Sequence, residues 1–324
     1  MKCVVTVLSL VAALAAAPIA AGAQEKPKDF PRKPIELVVV YAAGGGMDVT
    51  ARTLAKEAEA ILGHKFRVAN RVGGGGRVGH AFLAKEAKPD GYTIGVLSMG
   101  AVFNHMLEAN ARFAKEDFDP INYIAFEPYL YMTRGPSFDE IIATARKRGP
   151  NKLRVGVVSG STSSLILALI EEQFAVRFAR VPFQGGKPRL LGLINGTIDF
   201  APVFYTEAEQ YYKTGDAKLV AVTDTKHHPN LPEIRPIAEY GLKVPAATFG
   251  ATRFITLPPG VPANVRAYLE ASFVKVLKAE QTRTAFRKIG VAVQPMGAAE
   301  TKRVYDEVYG TTRELTAKAA GAAK

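Results

Sequence analysis

The sequence predicts an α/β protein of two similar units, each a parallel sheet with crossover helices. Short β-branched runs alternate with segments of helical spacing, and this alternation begins again near residue 153. Glycine and hydroxyl residues stand between several of the strands and the helices that follow them. Because ligands of such sheets bind beyond the carboxyl ends of the strands, these loops are the expected site.

A glycine turn joins the first predicted strand to the first predicted helix. The apolar run 35–40 predicts a buried strand, and apolar residues spaced between 51 and 62 predict a helix that ends at Gly63. Between them, Tyr41-Ala-Ala-Gly-Gly-Gly-Met-Asp48 lets a ligand approach the backbone and places Asp48 to cap the helix. The free N–H groups of a helix start favour an anion, although a tight turn without a ligand is the alternative.

The other elements follow in chain order. The first unit continues with strand 66–70, helix 77–87 and strand 93–98. The second unit begins after a helix that ends at 146–148, and its strands are 153–158, 177–183, 197–203 and 218–223, with helices to about 174, 194 and 213. The tail predicts helices at 263–278, 280–288 and 298–318, which should pack onto one of the units.

The first residues predict export. Lys2, the apolar run 4–17 and Ala21-Gly-Ala23 form the charged region, apolar core and cleavage site of a signal peptide, residues 1–23. The mature chain is expected to begin at Gln24 and to be exported as a soluble protein. Cys3, the single cysteine, lies inside this signal, so the mature chain should hold no disulfide.

The charge of the chain favours anionic ligands without pointing to nucleic acid. The formal net charge is +12, but the basic residues are scattered and no nucleic-acid-binding module is apparent. We therefore expect no nucleic acid partner and a general preference for anions.

Two motifs suggest a cofactor or a metal but lack the rest of such a site. Gly74-Gly-Gly76-Arg-Val-Gly79 has dinucleotide-binding spacing, yet Asp90 lies too early and in a turn to serve as the acid that should follow. His227-His228 lack spaced partners, and His64 and His105 also lack metal-ligand spacing. We expect no cofactor and no metal.

Catalytic chemistry is also weakly supported. Ser159, Ser161 and Ser163 suggest a nucleophile, but the strand end lacks a G-x-S-x-G elbow. Asp199 suggests a general base without a paired acid, and the other interpretations are an acceptor of neighbouring backbone N–H groups or a ligand contact. We expect no catalytic residue.

Taken together, several motifs resemble one family. Residues 34–52 resemble the opening of the substrate-binding proteins of tripartite tricarboxylate transporters, the Bug family. Further landmarks follow in the family order over nearly the whole mature chain: Asn70-Arg71, Pro89-Asp-Gly-Tyr-Thr93, Pro182-Phe-Gln-Gly-Gly186, Asn195-Gly-Thr-Ile-Asp199, Leu231-Pro-Glu233 and Leu257-Pro-Pro-Gly-Val-Pro262.

The resemblance implies a type II periplasmic-binding-protein-like fold, in which two α/β domains close on a small organic carboxylate. Residues 25–125 and 249–324 would form domain 1, and residues 126–248 would form domain 2. The implied protein is a periplasmic monomer without catalytic activity, which hands its ligand to membrane transporter subunits or to a sensor kinase. An exported α/β enzyme that uses the Asp48 or Ser159 loop for a small anionic substrate is the alternative.

The resemblance also implies the binding residues. Backbone N–H groups and hydroxyls would hold a carboxylate at each domain, often through water. The implied positions are Tyr41, Ala43, Gly44, Gly46, Met47, Asp48, Ser98, Met99, Gly100, Ser159, Gly160, Ser161, Thr162, Gln184, Gly185, Gly186, Asp199 and Phe204.

The chain departs from the family at several of these positions. Met47 stands where members usually have a hydroxyl, and Gln184 stands where they usually have lysine. The chain has no tryptophan, and Phe249 is expected at one such position. The loops are surrounded by Tyr41, Phe103, Phe126, Tyr129, Tyr131, Phe204 and Tyr205. These changes favour an apolar or aromatic carboxylate over a small polyanion such as citrate, unless most of the rings belong to the core.

Overall fold

Two five-stranded sheets organise the chain, each with helices on both faces. The structure is a computed structural model that describes residues 26–228, 230–242 and 250–321, with side chains to residue 317. The predicted signal peptide 1–23, the expected start at Gln24 and the position of Phe249 lie outside the described residues.

The first sheet has the strand order β2-β1-β3-β10-β4. Its strands are β1 (Ile35–Val39), β2 (Phe66–Asn70), β3 (Thr93–Ser98), β4 (Asp119–Pro128) and β10 (Gly250–Leu257). β1 pairs in parallel with β2 and β3, whereas β10 pairs antiparallel with β3 and β4. We refer to this sheet and its helices as the first domain.

The second sheet has the strand order β7-β6-β8-β5-β9. Its strands are β5 (Leu130–Thr133), β6 (Arg154–Val157), β7 (Ala179–Pro182), β8 (Phe200–Val203) and β9 (Lys218–Val222). β6 pairs in parallel with β7 and β8, and β5 pairs antiparallel with β8 and β9. The prediction of parallel sheets was therefore incomplete, because β10 and β5 each enter their sheet in the opposite direction. The second sheet and its helices form the second domain.

Ten α-helices lie within the described residues. They are α1 (Gly46–Leu62), α2 (Arg77–Lys85), α3 (Met99–Met106), α4 (Phe138–Arg148), α5 (Thr162–Gln173), α6 (Gly186–Ile194), α7 (Tyr205–Lys213), α8 (Ala263–Lys278), α9 (Glu280–Lys288) and α10 (Ala298–Gly321). In the part of the chain that the structure describes, no helix is both long enough and apolar enough to cross a bilayer. The prediction that the tail helices pack onto an earlier unit is confirmed, since α8 and α10 both contact β4 of the first domain.

The chain passes between the domains twice. β4 belongs to the first sheet as far as Pro128 and β5 belongs to the second sheet from Leu130, so the first crossing lies at Tyr129 and not at the expected residue 125. The return passes between β9 and β10. β5 and β10, the strands that follow the two crossings, pair antiparallel with their neighbours.

Candidate ligand-binding cleft

A cavity lies where the carboxyl ends of strands in the two sheets face each other. Its volume is about 30 Å³, room for about two water molecules. Seven residues predicted from the sequence line it: Tyr41, Gly46, Met47, Ser161, Gly185, Gly186 and Phe204. The lining is completed by Gly45, Tyr129, Val158, Arg189 and Glu207.

The start of α1 forms one wall of this cavity. Gly45 is the N-cap residue, and the N–H of Gly46 donates a 2.7 Å hydrogen bond to Oε1 of Glu207 in the second domain. A Cβ atom at Gly46 would lie 2.8 Å from Oγ1 of Thr206, so glycine is needed for this close approach. The anion position predicted at this helix start is thus occupied by a carboxylate of the protein itself.

Asp48 holds the glycine turn from behind the cavity. The prediction that it caps α1 was wrong in detail, because Gly45 holds the N-cap position. The Asp48 carboxylate accepts from the N–H of Gly44 and from Nδ2 of Asn70, both at 2.8 Å, and from Nε of Arg52 at 2.9 Å. Burial alone would raise the pKa of Asp48, but these hydrogen bonds outweigh it and the pKa is lowered. Asp48 therefore stabilises the turn and does not line the cavity.

Arg189 brings a buried positive charge to the cavity. It lies in the first turns of α6, and its side chain is only 2% exposed. Its Nη1 donates to Oγ of Ser163 at 3.4 Å, and its Nη2 lies 3.9 Å from Oε2 of Glu207, beyond hydrogen-bonding distance. Among the described residues, its Nε has no hydrogen-bond partner. Most of the donor capacity of this guanidinium is unused.

Glu207 faces Arg189 across the cavity and belongs to α7. Its side chain is 1% exposed. Besides the bond from Gly46, Oε2 accepts a long bond of 3.4 Å from the N–H of Phe204, the N-cap residue of α7. Glu207 thus caps its own helix and reaches the first domain with the other oxygen.

A second buried ion pair supports the first domain behind the cavity. Arg253 in β10 and Glu127 in β4 form an ion pair through Nη2 and Oε2, and both side chains are at most 2% exposed. Nη1 of Arg253 also contacts Oγ1 of Thr50 and donates to the backbone oxygen of Gly46 at 3.3 Å. Burial lowers the pKa of Arg253 to about 9. Oε1 of Glu127 accepts from the N–H of Thr206 at 3.4 Å, a further contact between the domains.

Three of the predicted aromatic residues line the cavity. Tyr129 and Phe204 stack with ring centroids 4.3 Å apart, and Tyr41 lies at the same cavity. Burial raises the pKa of Tyr129 to about 12, and burial also raises the pKa of Tyr41. The remaining four rings pack against the core clusters of the two domains: Phe103, Phe126, Tyr131 and Tyr205. The aromatic surroundings predicted from the sequence are thus divided between cavity and core.

The other predicted site residues lie around the cavity or away from it. Ala43 and Gly44 belong to the turn before α1, and the backbone oxygen of Gln184 accepts from the N–H of Ala42 at 3.2 Å. Asp199 instead pairs with Arg154 at the start of β6, accepting from its backbone N–H at 2.9 Å. Of the alternative roles for Asp199, the structure shows the one in which its carboxylate accepts hydrogen bonds from neighbouring N–H groups. Asp199 lies at the end of the sheet opposite the cavity.

Four of the remaining predicted residues lie at a seam where the domains touch: Gly100 in α3, and Ser159, Gly160 and Thr162 before and within α5. The other two belong to the first domain, since Ser98 ends β3 and Met99 is buried in a core cluster. A Cβ atom at Gly100 would collide with the side chain of Thr162. Gly75, from the motif of dinucleotide-binding spacing, has a φ of +70° and packs so tightly on the backbone oxygen of Ser159 that no Cβ would fit. That motif serves domain contact in this structure.

A histidine pair completes the seam. The Nδ1 atoms of His80 and His105 are hydrogen-bonded to each other at 2.9 Å, and Nε2 of His105 lies 3.4 Å from the backbone oxygen of Ser159. Burial lowers the pKa of His80, and burial together with nearby Arg77 lowers that of His105 to about 4, against the effect of Glu108. The other candidate histidines act singly: His228 stacks on Tyr205, and His227 pairs with Glu239 at 2.9 Å. Across the described residues, no group of three or more potential metal ligands is present.

The charged residues of the cleft were missed from the sequence. Arg189 and Glu207 were not singled out, although each stands three residues after a loop residue that was. In a helix that begins at the cavity, the third residue lies one turn inside and on the same face as the start. That spacing is the signal that could have identified both.

The comparisons with known proteins show the family and the fold. Residues 50–318 match the model of the tripartite tricarboxylate transporter family receptor. The solved structure of the periplasmic binding protein BugD superposes with a TM-score of 0.83 at 26% identity, covering 90% of this chain and 99% of that one. Two proteins of Rhodopseudomonas palustris are also similar. Rpa4515 with adipate has a TM-score of 0.82 at 26% sequence identity, and the match covers 90% of this chain and 99% of that one. MatC with bound malate has a TM-score of 0.79 at 25% identity, and the match covers 88% of this chain and 99% of that one.

Proposed function

Because the chain belongs to the tripartite tricarboxylate transporter receptor family, we propose that it is a periplasmic solute-binding protein for a small organic carboxylate. The ligand binds between the two domains and is delivered to a membrane transporter. Binding shifts the population of open and closed arrangements of the domains, and the closed form is the one the transporter recognises.

The observation that carries this proposal is the buried, underused guanidinium of Arg189. A buried cation with free donors is costly unless a partner completes it, and a carboxylate fits a guanidinium through two parallel hydrogen bonds. Arg189 also supplies the positive charge that lysine would give at the position of Gln184. The structural relatives that hold adipate and malate agree with a carboxylate ligand.

The cavity walls favour a ligand with an apolar part. Tyr41, Met47, Tyr129, Val158 and Phe204 place rings and aliphatic groups around the charged pair. A ligand larger than a few atoms requires the walls to move apart, because the cavity holds about 30 Å³. The apolar or aromatic carboxylate expected from the sequence therefore remains the preferred class.

A thermal-shift screen of the processed protein against organic acids tests the proposal. The panel holds dicarboxylates, citrate, aromatic acids and amino acids, applied after bound ligand has been removed by unfolding and refolding. A ligand that binds only the folded state adds about 2.7 kcal/mol of stability at 100 times its dissociation constant. We expect one class to raise Tm for the wild type and for Arg154→Gln, an exposed arginine away from the cavity, but not for Arg189→Met.

The same samples separate binding from catalysis. Chromatography of the ligand after prolonged incubation should recover it unchanged, since a binding protein returns its ligand intact. Conversion that depends on the protein would replace the proposal with the enzyme alternative. Absence of any shift across the panel would contradict a carboxylate ligand.

A further inference from the structure

We propose that the ligand is a zwitterion, whose carboxylate binds Arg189 and whose ammonium group binds Glu207. This inference rests on the proposed function, because it specifies which carboxylates the same cleft accepts. It adds a role for Glu207, which would be a specificity-determining residue.

The two side chains form an open pair of opposite charges at one cavity. Nη2 of Arg189 and Oε2 of Glu207 are 3.9 Å apart, and both side chains are almost fully buried. This separation is too long for a hydrogen bond, so the pair is not closed on itself. An amino acid carries its ammonium and carboxylate groups on one carbon atom or on neighbouring ones, close enough to meet both side chains together.

Both side chains have hydrogen-bonding capacity left for a ligand. Nε of Arg189 is without a partner in the described part of the chain, and its Nη1 bond to Ser163 is long. Oε2 of Glu207 accepts one weak bond, from Phe204 at 3.4 Å. Asp48 differs, since its two oxygens accept three bonds of 2.8 to 2.9 Å. Of these two carboxylates, Glu207 is the one able to accept an ammonium group.

The charge balance of the cleft disfavours a purely anionic ligand. Arg189 and Glu207 cancel each other, as do Arg253 and Glu127 behind them. The start of α1, which would otherwise stabilise an anion, already donates to Glu207. A monocarboxylate would add one negative charge and a dicarboxylate two, and buried charge without compensation is costly. A zwitterion adds none.

The rest of the cavity defines the third substituent of this ligand. The rings of Tyr41, Tyr129 and Phe204 surround the charged pair, and Met47 adds a flexible apolar group. We therefore infer an amino acid with an apolar or aromatic side chain.

Matched pairs of ligands test the inference by calorimetric titration of the refolded, processed protein. Each pair shares a skeleton: phenylalanine with 3-phenylpropionate, leucine with 4-methylpentanoate, and alanine with propionate; phenethylamine and adipate complete the panel. In the best pair, the amino acid should bind about tenfold or more tightly than its deaminated partner, a difference of about 1.4 kcal/mol. A deaminated acid or adipate that binds as tightly as the best amino acid would overturn the inference.

Variants identify the side chain that binds the ammonium group of the ligand. Glu207→Gln keeps the length of the side chain and an oxygen acceptor for helix capping, so the fold should persist, as circular dichroism and Tm can verify. The substitution should weaken binding of the amino acid by about tenfold or more and leave binding of the deaminated acid nearly unchanged. Glu209→Gln makes the same change two residues further along α7, where Glu209 pairs with Lys213, and should affect neither ligand.

The two proposals fail in different ways. Equal effects of Glu207→Gln on both members of a pair would assign Glu207 a purely structural role and refute the zwitterion. If plain carboxylates bind through Arg189 and the amino group is irrelevant, the solute-binding function stands and the zwitterion falls. If no member of the panel binds the wild type, both proposals fail.

Discussion

Each domain buries one arginine beside the cleft, and the two arginines are used differently. In the first domain, Arg253 is fully buried and contacts Glu127, Thr50 and the backbone oxygen of Gly46. In the second domain, Arg189 is 2% exposed, and within the described residues it makes a single hydrogen bond of 3.4 Å. Burial is the same, and within the described residues Nε of each arginine lacks a hydrogen-bond partner, but both terminal nitrogens of Arg253 are hydrogen-bonded and only one of Arg189 is.

The difference separates a structural cation, Arg253, from a cation that we propose to bind the ligand, Arg189. The partners of Arg253 lie in its own domain, so its charge is compensated whether or not a ligand is bound. Within the described residues, Nε of Arg189 has no hydrogen-bond partner and the residue lines the cavity, where we propose that a ligand completes its interactions. Under the proposed function, the first domain supplies one wall of the cleft and the second domain supplies the charges that bind the ligand.

The largest expected effect is on stability, from Arg253→Met. Removing this cation leaves Glu127 buried without its partner, which should lower the free energy of unfolding by about 3–5 kcal/mol in urea denaturation. Adding Glu127→Leu should recover much of the loss, because an apolar pair of similar volume replaces the ion pair. A loss below about 1 kcal/mol for the single variant would mean that Arg253 is not the structural cation described here.

Arg189→Met should show the reverse pattern. Affinity for the carboxylate found in the screen should fall by about 2–5 kcal/mol, since a buried charged partner of the ligand is removed. The free energy of unfolding should change less than in Arg253→Met, because the contact with Glu207 is already open. Calorimetric titration and urea denaturation of the same preparations make the comparison. Unchanged affinity would remove the distinction between the two arginines.

Asp48→Ala tests whether the wall of the first domain is structural. The substitution leaves Gly44, Arg52 and Asn70 without their acceptor and should cost about 2 kcal/mol of stability. Affinity should fall less, because Asp48 does not line the cavity. Asp48→Asn, which keeps one oxygen acceptor, should retain part of the stability. Intact stability with lost affinity would instead make Asp48 a ligand residue.

The smallest expected effect is on pH dependence and concerns the seam between the domains. The pKa of His105 is lowered to about 4 by burial, whereas an unfolded histidine titrates near its usual value of about 6.5. The unfolded chain therefore binds the proton first, so stability is full above about pH 6.5 and falls as the pH drops toward 4. The loss should be on the order of 2 kcal/mol in urea denaturation at a series of pH values.

His105→Gln should reduce that slope between pH 6.5 and 4, and adding His80→Gln should flatten it, because burial lowers the pKa of His80 as well. His227→Gln, which changes an exposed histidine paired with Glu239, serves as the control and should keep the wild-type slope. A slope that survives His105→Gln unchanged would show that another group controls the acid sensitivity.

Local patterns were sufficient for much of the fold. The predicted bounds of β2, β3, α8 and α9 match the structure residue for residue, because their apolar spacing is regular and glycine, proline or turn residues flank them. β4 and β10 were not predicted. β10 is buried along its whole length and carries Arg253 at its centre, so neither alternation nor a purely apolar run marks it.

The candidate site was predictable in its position and not in its charges. The rule that ligands lie at strand ends selected the loops that form the cavity. The partners of the buried charges are distant in the chain: Arg253 meets Glu127 across 126 positions, and Gly46 meets Glu207 across 161. The first pair depends on which strands are neighbours in one sheet, and the second depends on how the two domains face each other; no local pattern encodes either.

The glycines of the seam separate how the domains meet from what they bind. At Gly75 and Gly100 the domains touch where a Cβ atom would collide with the backbone oxygen of Ser159 and with the side chain of Thr162. The residues that we propose to select the ligand, Arg189, Glu207 and the surrounding rings, lie at the cavity and outside the seam. Descendants of such a protein are therefore free to change specificity by altering a few side chains, while a deep mutational scan should find the seam glycines among the least replaceable positions.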